Sequence, residues 1–321
     1  MDASTMDPDV ARVAAVLPRL DIADVAGARA VSDALLAPLH AALSYEGVDV
    51  TRVALPSEDD RAAGSLRLMR PTGVEGTTPV LIAMHGGGFV LGRSEDFDYF
   101  CLEVVRRLGI TVANVDYRLA PEAPYPAPLD DCFAALTYVF AHAATLGIDP
   151  SRIAVAGSSA GGGLAAGTAL RARDEGGPAI MFQLLLSPAT DDRWQGGEES
   201  PDQPFGGDDT AERVWNAYLG PDYAGPDDPD VSPYAVPARA RSLSGLPSTY
   251  IAAMEFDPIR DSHIDFAVRL LRAGVRVELH CHPGTFHGSV ELAPLAESSA
   301  RVMDGLIEAL RRGLRLDSPS A

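Results

Sequence analysis

A serine set among small residues at 157–161 constrains this chain more strongly than any other feature. The segment reads Gly-Ser-Ser-Ala-Gly, with Ser159 at its centre, and follows an apolar run at 153–156 that is typical of a buried strand. The small residues that follow, up to Ala166, are typical of the start of a closely packed helix. A strand, a sharp turn and a helix in this order hold a serine hydroxyl exposed. The pattern therefore predicts a nucleophilic serine.

A second glycine-rich segment, at 85–89, reads His-Gly-Gly-Gly-Phe and lies upstream of the serine. Consecutive glycines leave the backbone N–H groups without side chains to obstruct them, so these groups can hold a developing negative charge. The two segments together predict a serine nucleophile and its oxyanion hole, which is the equipment of an enzyme that cleaves esters.

The glycines after the serine also fit a loose dinucleotide-binding pattern, through Gly161, Gly163 and Ala166. A true dinucleotide loop begins immediately after its strand, and an acidic residue follows about 20 positions later to hold the ribose. Here the pattern begins too far beyond the strand and lacks that acidic residue, so it does not favour a phosphate-binding loop.

Short apolar runs alternate with amphipathic helical stretches along most of the chain. This alternation predicts an α/β fold with a mostly parallel eight-stranded sheet covered by helices. Strands are predicted at 51–55, 65–70, 80–84, 111–115, 153–156, 181–186, 249–253 and 276–281. Three helical stripes are predicted to be core packing: Leu129, Cys132, Phe133, Leu136 and Phe140; Ile264, Ala267, Val268 and Leu271; and Met303, Leu306, Ile307 and Leu310.

Two regions break the alternation. Residues 1–45 are helical in composition, and residues 191–245 are crowded with Gly, Pro and Asp around one helix. In that helix, 209–212 resembles a capping box with Asp in place of Ser or Thr, and Gly220 ends the helix. We expect one catalytic domain at 46–321, with a cap formed by the N-terminal helices and the insertion. The alternative is a surface excursion packed by its own aromatic residues.

Composition excludes several partners and mechanisms. The formal net charge is −19, so we expect neither nucleic acid nor an anionic membrane as a partner. All 26 residues counted as Lys or Arg are arginine. Schiff-base enzymes, P-loop nucleotide hydrolases and Ser-Lys hydrolases each need a lysine amine, so these classes are excluded.

The three cysteines, Cys101, Cys132 and Cys281, have no metal-type spacing, and their odd number suits no closed disulfide framework. The N-terminus has no basic start followed by an apolar segment, and no stretch is apolar and long enough to span a membrane. We therefore expect core cysteines, a cytoplasmic protein, and no metal or cofactor.

A serine nucleophile needs a base, and four histidines follow Ser159: His263, His280, His282 and His287. His280 and His282 lie on one face of a predicted strand, where a structural role is commoner than catalysis. An alternative is a metal site formed by this pair and His287, but no carboxylate stands at a spacing typical of a further ligand. His263 lies in the first turn of a helix. His287 lies in a loop past the last strand, where catalytic groups tend to be displayed, and is the predicted base.

The carboxylate that orients the base is predicted to be Asp257. It follows the strand at 249–253, and Pro258 next to it suits the start of a helix. Its structural alternative is a helix N-cap, a common role for aspartate. Asp261 and Asp265 come later and would project from the helix itself. The order serine, aspartate, histidine is that of the α/β hydrolases.

Six segments give the chain a specific family resemblance: HGGGF at 85–89, DYRLAPE at 116–122, YPAPLDD at 125–131, GSSAGG at 157–162, DPIRD at 257–261 and PGTFHG at 283–288. In this order they resemble the hormone-sensitive-lipase-like carboxylesterases, bacterial esterase family IV, of the α/β-hydrolase superfamily. The resemblance implies that Ser159 attacks the carbonyl, His287 transfers the proton and Asp257 holds the imidazole.

The resemblance also implies supporting roles. The backbone N–H groups of Gly87, Gly88 and Ala160 would form the oxyanion hole. His85 and the segment that begins at Asp116 would support it from behind, and Ser158 is a further supporting residue beneath the turn. A family precedent of pairing near the last strand makes a homodimer plausible beside a monomer.

Two residues depart from the family pattern. Ser158 stands before the nucleophile where Asp or Thr is usual, which changes the hydrogen bonding beneath the turn. Ser289 stands after His-Gly where Phe is usual, which removes an aromatic ring from near the base and changes the expected shape of the pocket.

These features predict a carboxylic ester hydrolase that acts on small, short-acyl esters through an acyl-enzyme. The same residues acting on a lactone or an amide, or transferring the acyl group to an alcohol, are alternatives. A hydrolase-shaped binding protein without catalysis is a further alternative, against which the presence of all three triad residues counts.

Overall fold

The computed structural model describes residues 5–55, 64–193 and 209–316. Its strands are β1 (Val48–Ala54), β2 (Ser65–Pro71), β3 (Thr78–Met84), β4 (Thr111–Asp116), β5 (Ile148–Ser158), β6 (Phe182–Leu186), β7 (Ser248–Phe256) and β8 (Val277–Phe286). They form one eight-stranded sheet in the order β1-β2-β4-β3-β5-β6-β7-β8. The pairs β1–β2 and β2–β4 are antiparallel and the other neighbours are parallel. The predicted α/β fold with a mostly parallel eight-stranded sheet is confirmed.

The helices are α1 (Pro8–Ala14), α2 (Val25–Ala42), α3 (Asp98–Leu108), α4 (Ala127–Ala141), α5 (Ala143–Leu146), α6 (Ala160–Glu175), α7 (Thr210–Leu219), α8 (Arg260–Arg272), α9 (Ser289–Leu292) and α10 (Glu297–Gly313). Alternate residues of β3 enter two different cores: Ile82 packs with α4 and α6, whereas Leu81 packs with α3 and α10. Both faces of the sheet are therefore buried, which explains why its central strands read as continuous apolar runs.

The parallel strands bring distant residues to one edge of the sheet. Met84 pairs with Gly157, and Phe256 pairs with Phe286, so β3, β5, β7 and β8 end side by side. Ligands of open α/β sheets bind beyond these carboxyl ends. The residues that follow the four strands are therefore the first candidates for chemistry.

Strand β8 is longer than predicted. It extends to Phe286, and the pairing with β7 shifts register between Met254 and Phe256. Residues 283–286 of the loop predicted at 283–288 therefore belong to the sheet. A proline and a glycine at 283 and 284 suggest a turn in sequence, but an edge strand with a bulge tolerates both. Cys281 is exposed rather than in the core, because β8 is the edge strand. Cys101 and Cys132 are buried as predicted.

The predicted helix stripes are confirmed in part. The stripe of α10 is buried throughout, but Phe140 at the end of the α4 stripe is 45% exposed. The stripe predicted for α8 is confirmed at Ala267, which is buried, and wrong at Leu271, which is 54% exposed; the buried face also contains His263, Phe266 and Leu270. The buried face of α8 is therefore centred closer to Phe266 and Leu270 than the predicted stripe.

The N-terminal helices reach the edge where the strands end. Val10 of α1 packs with Phe256 and Phe286, at the ends of β7 and β8. Arg29 of α2 donates to the carbonyl oxygen of Val90 at 2.8 Å, just after the glycine segment. Both helices are therefore anchored next to residues that the sequence assigns to the site.

Helix α7 covers the same glycine segment from the insertion. Trp215 and Tyr218 pack on Phe89, with ring centroids 5.4 Å and 3.8 Å away. Residues 194–208 of the predicted insertion lie outside the described residues. The cap, with its boundaries 1–45 and 191–245, stays a prediction.

The predicted capping box at 209–212 is wrong. The Asp209 side chain makes no cap hydrogen bond and instead pairs with Arg213 at 2.6 Å. An arginine one turn into the helix competes for the carboxylate. Gly220 ends the helix as predicted. Across the described residues, no helix is both long and apolar enough to cross a membrane.

Candidate active site

Ser159 stands between the end of β5 and the start of α6, with φ 53° and ψ −117°. Positive φ is strained for a residue with a side chain, so neighbouring structure must hold it. The Ser159 N–H donates to the Leu186 carbonyl at 2.8 Å, and its carbonyl accepts from the Ala189 N–H at 2.9 Å. Gly161 lets α6 approach β3, because a Cβ atom there would overlap the Met84 carbonyl. The turn expected from the sequence is present.

Three side chains from separate strand ends form a hydrogen-bonded row. His287 Nε2 lies 2.8 Å from Ser159 Oγ, and His287 Nδ1 lies 2.7 Å from Asp257 Oδ2. Asp257 Oδ1 accepts a hydrogen bond from the Ile259 N–H at 2.9 Å, which fixes the carboxylate. The structure thus brings together the serine, the histidine and the aspartate that the sequence singles out.

Burial and charge set the protonation of this row. Burial alone would raise the pKa of the Asp257 carboxyl, but the adjacent histidines, above all His287, lower it below the usual value. For His287, burial alone would lower the pKa, but the Asp257 carboxylate raises it above that of an ordinary histidine. An ionised carboxylate therefore faces an imidazole that accepts a proton readily.

A second histidine lies beside the same carboxylate. His263 Nδ1 is 3.9 Å from Asp257 Oδ2, beyond hydrogen-bond distance. The ring is fully buried, and neither of its nitrogens has a hydrogen-bond partner among the described residues. Burial lowers the pKa of His263 to about 4, so it is neutral at neutral pH. Its position in the first turn of α8 was read correctly from sequence, but its contact with the site was not predicted.

The glycine segment lies against the serine turn. A Cβ atom on Gly86 would lie 3.5 Å from the Ser159 Cβ, which measures how closely the two segments approach. Gly87 has φ 115°, a conformation that side chains disfavour. In the described part of the chain, no protein acceptor binds the N–H of Gly87 or Gly88. Ala160 is the first residue of α6, where N–H groups lack an intrahelical acceptor.

His85 directly precedes the glycines, and Asp116 ends the neighbouring strand β4. The buried His85 ring stacks on Tyr117 at 4.2 Å, and its Nδ1 lies 2.7 Å from the Gly86 carbonyl oxygen. Burial lowers the pKa of His85 to about 4, so the ring is neutral. Asp116 accepts a hydrogen bond from the Ser94 N–H at 3.1 Å. Both side chains contact backbone groups, and their supporting role stays a prediction.

Ser158 and Glu291 form a contact that sequence reasoning missed. Ser158 Oγ donates to Glu291 Oε1 at 2.5 Å. From sequence, Ser158 is a supporting residue and a departure from the family pattern, but no partner is predicted for it. Glu291 lies in α9, a helix of one turn whose sequence carries no periodic pattern. The signal that could have found it is an acidic residue one helical turn after the predicted base.

The other histidines are not part of the row. His280 Nε2 lies 2.9 Å from Glu278 Oε1 on the exposed side of β8, and its ring stacks on that of His282. Among residues 5–55, 64–193 and 209–316, no group of three or more His, Cys, Asp or Glu side chains is suited to hold a metal. Ser289 is fully buried at the start of α9.

Comparison with known sequences gives a consistent result. Residues 81–291 match the model of a protein family described as the alpha/beta hydrolase fold. The chain is 41% identical over 252 residues to the carboxylesterase NlhH of Mycobacterium tuberculosis, which covers 78% of each chain. It is 38% identical over 305 residues to the carboxylic ester hydrolase LipN of the same species, with 91% of this chain and 76% of that protein covered.

Solved structures point the same way. A bacterial heroin esterase superposes with a TM-score of 0.94 at 50% identity, over 98% of this chain and 100% of that one. The esterase LipW of Mycobacterium marinum gives a TM-score of 0.87 at 37% identity, over 97% of each chain.

Proposed function

Because the chain belongs to the α/β-hydrolase family and is a carboxylesterase of the hormone-sensitive-lipase-like type, we propose that it hydrolyses esters through Ser159, His287 and Asp257. The observation that carries this proposal is the hydrogen-bonded row from the hydroxyl through the imidazole to the carboxylate, next to a glycine segment. A hydroxyl so placed can lose its proton as it attacks.

In the first half of the reaction, His287 Nε2 takes the Ser159 proton while Oγ attacks the ester carbonyl carbon. Asp257 stabilises the imidazolium that forms. The N–H groups of Gly87, Gly88 and Ala160 bind the oxyanion, each donor contributing about 10²–10³ in kcat. The imidazolium then protonates the departing alcohol, and the acyl group stays on Ser159.

In the second half, water replaces the alcohol. His287 takes a proton from the water as its oxygen attacks the acyl carbonyl, and the same N–H groups bind the second oxyanion. The imidazolium returns its proton to Ser159 Oγ when the carboxylic acid leaves. Every proton is carried by His287, so the proposed reaction routes no step through a metal or cofactor.

The proposed substrates are small esters with short acyl groups. Support comes from Val214 of α7, whose Cγ2 would lie 3.1 Å from a Cβ atom on Gly88, so a bulky side chain closes one side of the oxyanion segment. The anchoring of α2 and α7 at this segment also supports the proposal that these helices form a cap. A panel of acetyl, butyryl and decanoyl esters tests it, with turnover expected to fall for the longest chain.

Single substitutions test the proposed roles. Ser159→Ala and His287→Ala should each lower kcat for a chromogenic short-chain ester by at least about 10⁴-fold. His280→Ala and His282→Ala are matched controls, because both histidines lie on β8, the strand that precedes His287, and both variants should keep most of the activity. Full activity in Ser159→Ala would overturn the assignment. The alternative reactions are tested with a lactone, with an amide, and with an ester in the presence of an added alcohol. Mass spectrometry of the products shows whether the same residues catalyse any of them.

A further inference from the structure

A second carboxylate lies next to the nucleophile turn. Glu291 lies in the short helix α9, which begins two residues after His287. Its Oε1 accepts a hydrogen bond from Ser158 Oγ at 2.5 Å. Ser158 directly precedes Ser159 and is 5% exposed. One hydrogen bond therefore ties the segment that carries the imidazole to the segment that carries the hydroxyl.

The Ser158–Glu291 contact, at 2.5 Å, has the length of a hydrogen bond from a hydroxyl to a carboxylate. Hydroxyl-to-carboxylate bonds of about 2.5–2.7 Å are charge-assisted and about twice as strong as neutral ones. Glu291 Oε2 is buried and has no protein partner in the described part of the chain. A buried carboxylate oxygen without a partner is costly, so its presence here calls for a reason.

The electrostatics supply that reason. Three titratable groups face His287: Asp257 from the turn after β7, His263 from α8, and Glu291 from α9. Asp257 makes the largest contribution that raises the pKa of His287, and the charge of Glu291 adds to it. His263 is neutral at neutral pH and does not offset either carboxylate.

We propose that Glu291 is a positioning residue for ester hydrolysis, which holds the nucleophile turn through Ser158 and stabilises the protonated His287 by its charge. The inference rests on the proposed function of Ser159 and His287. Glu291 would act in two ways that different variants remove. Its oxygen accepts the hydrogen bond from Ser158, and its negative charge stabilises the protonated His287.

Glu291→Gln removes the charge and keeps an oxygen that can accept from Ser158. We expect kcat to fall about tenfold, with KM within about twofold of the parent value, because the charge acts on the transition state. The acid limb of the kcat/KM profile should move to lower pH, since the pKa of His287 loses one of its two negative neighbours. A merely structural role would not move that limb.

Ser158→Ala removes the hydrogen bond and keeps the charge. We expect a lower kcat with an acid limb that does not move to lower pH. Glu297→Gln is the matched control, because it removes an exposed negative charge at the start of α10 and should change neither quantity. Melting temperatures of all three variants show whether each is folded.

Two results would overturn the proposal: a Glu291→Gln profile and kcat that coincide with the parent enzyme, or an equal shift in Glu297→Gln. If Glu291→Gln does not fold, unchanged kcat in Ser158→Ala is the overturning result. Failure of the underlying function is distinguishable, because the Ser159→Ala variant would then hydrolyse esters as fast as the parent enzyme.

Discussion

Burial and neighbouring carboxylates change the pKa of His287 in opposite directions. Burial alone would lower the pKa of His287, and the carboxylate of Asp257, 2.7 Å away, reverses this. A base must be neutral to accept a proton, so activity falls when the pH drops below this pKa. At the scale of single residues, the acid limb of the pH profile therefore reports on the carboxylate.

Replacing Asp257 by Asn keeps the size of the side chain and removes its charge. We expect kcat to fall by about 10⁴ and the acid limb of kcat/KM to move to lower pH, because the imidazolium loses its main stabilising neighbour. Initial rates across the acid range measure both. A limb that stays in place would show that Asp257 does not set the pKa of His287. Asp265→Asn, exposed on α8, is the control.

His263 makes a different prediction, about stability. In the unfolded chain its pKa is that of ordinary histidine, about 6.5, whereas burial lowers it to about 4 in the folded protein. Between these values the unfolded state binds the proton and the folded state does not, so this residue makes stability fall as pH falls through that window.

An apolar residue at 263 should remove that loss. We expect His263→Leu to flatten the decrease of melting temperature between the two pKa values, while His142→Leu, at an exposed position, leaves it unchanged. Thermal unfolding followed by circular dichroism at several pH values measures this. An equal slope in parent and His263→Leu would contradict the assignment of a neutral buried ring.

At the scale of elements, α7 is attached to the oxyanion segment by aromatic packing. The Phe89 and Tyr218 rings stack at 3.8 Å, and Phe89 itself has a positive φ of 61°. A strained residue next to the glycines needs such support. The helix therefore does more than cover the site, since it holds the backbone whose N–H groups are proposed to bind the oxyanion.

Two substitutions of Tyr218 separate ring from hydroxyl. The hydroxyl is buried and has no partner among the described residues, so Tyr218→Phe should keep full activity and equal or greater stability. Tyr218→Ala should lose about 3–5 kcal/mol of unfolding free energy and lower kcat, because the stack is lost. Urea unfolding and steady-state kinetics test both. Unchanged kcat in a folded Tyr218→Ala variant would show that the packing of α7 does not support the oxyanion hole.

For the whole molecule, charge is the dominant property. A net charge of −19 produces a negative potential that attracts cationic esters and repels anionic ones. Raising salt from about 10 mM to about 200 mM shortens the screening length severalfold. We expect kcat/KM to fall for a trimethylammonium ester and to stay constant for its neutral isostere. Equal salt dependence for both would show that the field does not reach the site.

The sequence predicts the sheet and the three-residue row because their signals are strong. Apolar runs such as 80–84 are short and closely followed by glycines, which favours buried strands over helices. Parallel strands bring Ser159 and Asp257 to one edge. The errors arise where the burial of a side chain differs from what its polarity suggests. His263 is polar yet fully buried, so its place on the buried face of α8 is not evident from its residue type.

Other features have no sequence period to reveal them. Glu291 lies in a single helical turn, and its partner Ser158 is a small residue of no fixed preference. The end of β8 contains a proline and a glycine, which suggest a loop until pairing with β7 is seen. Such contacts depend on the register between strands, and a register is a property of the fold.

The central claim is that Ser159 carries the acyl group, and covalent trapping tests it most directly. An alkyl phosphonate, followed by peptide mass spectrometry, should give a single adduct on Ser159 and none on the adjacent Ser158, with activity lost in proportion to labelling. Complete inactivation by an adduct on another residue, or ester hydrolysis undiminished after Ser159 is fully modified, would contradict the account.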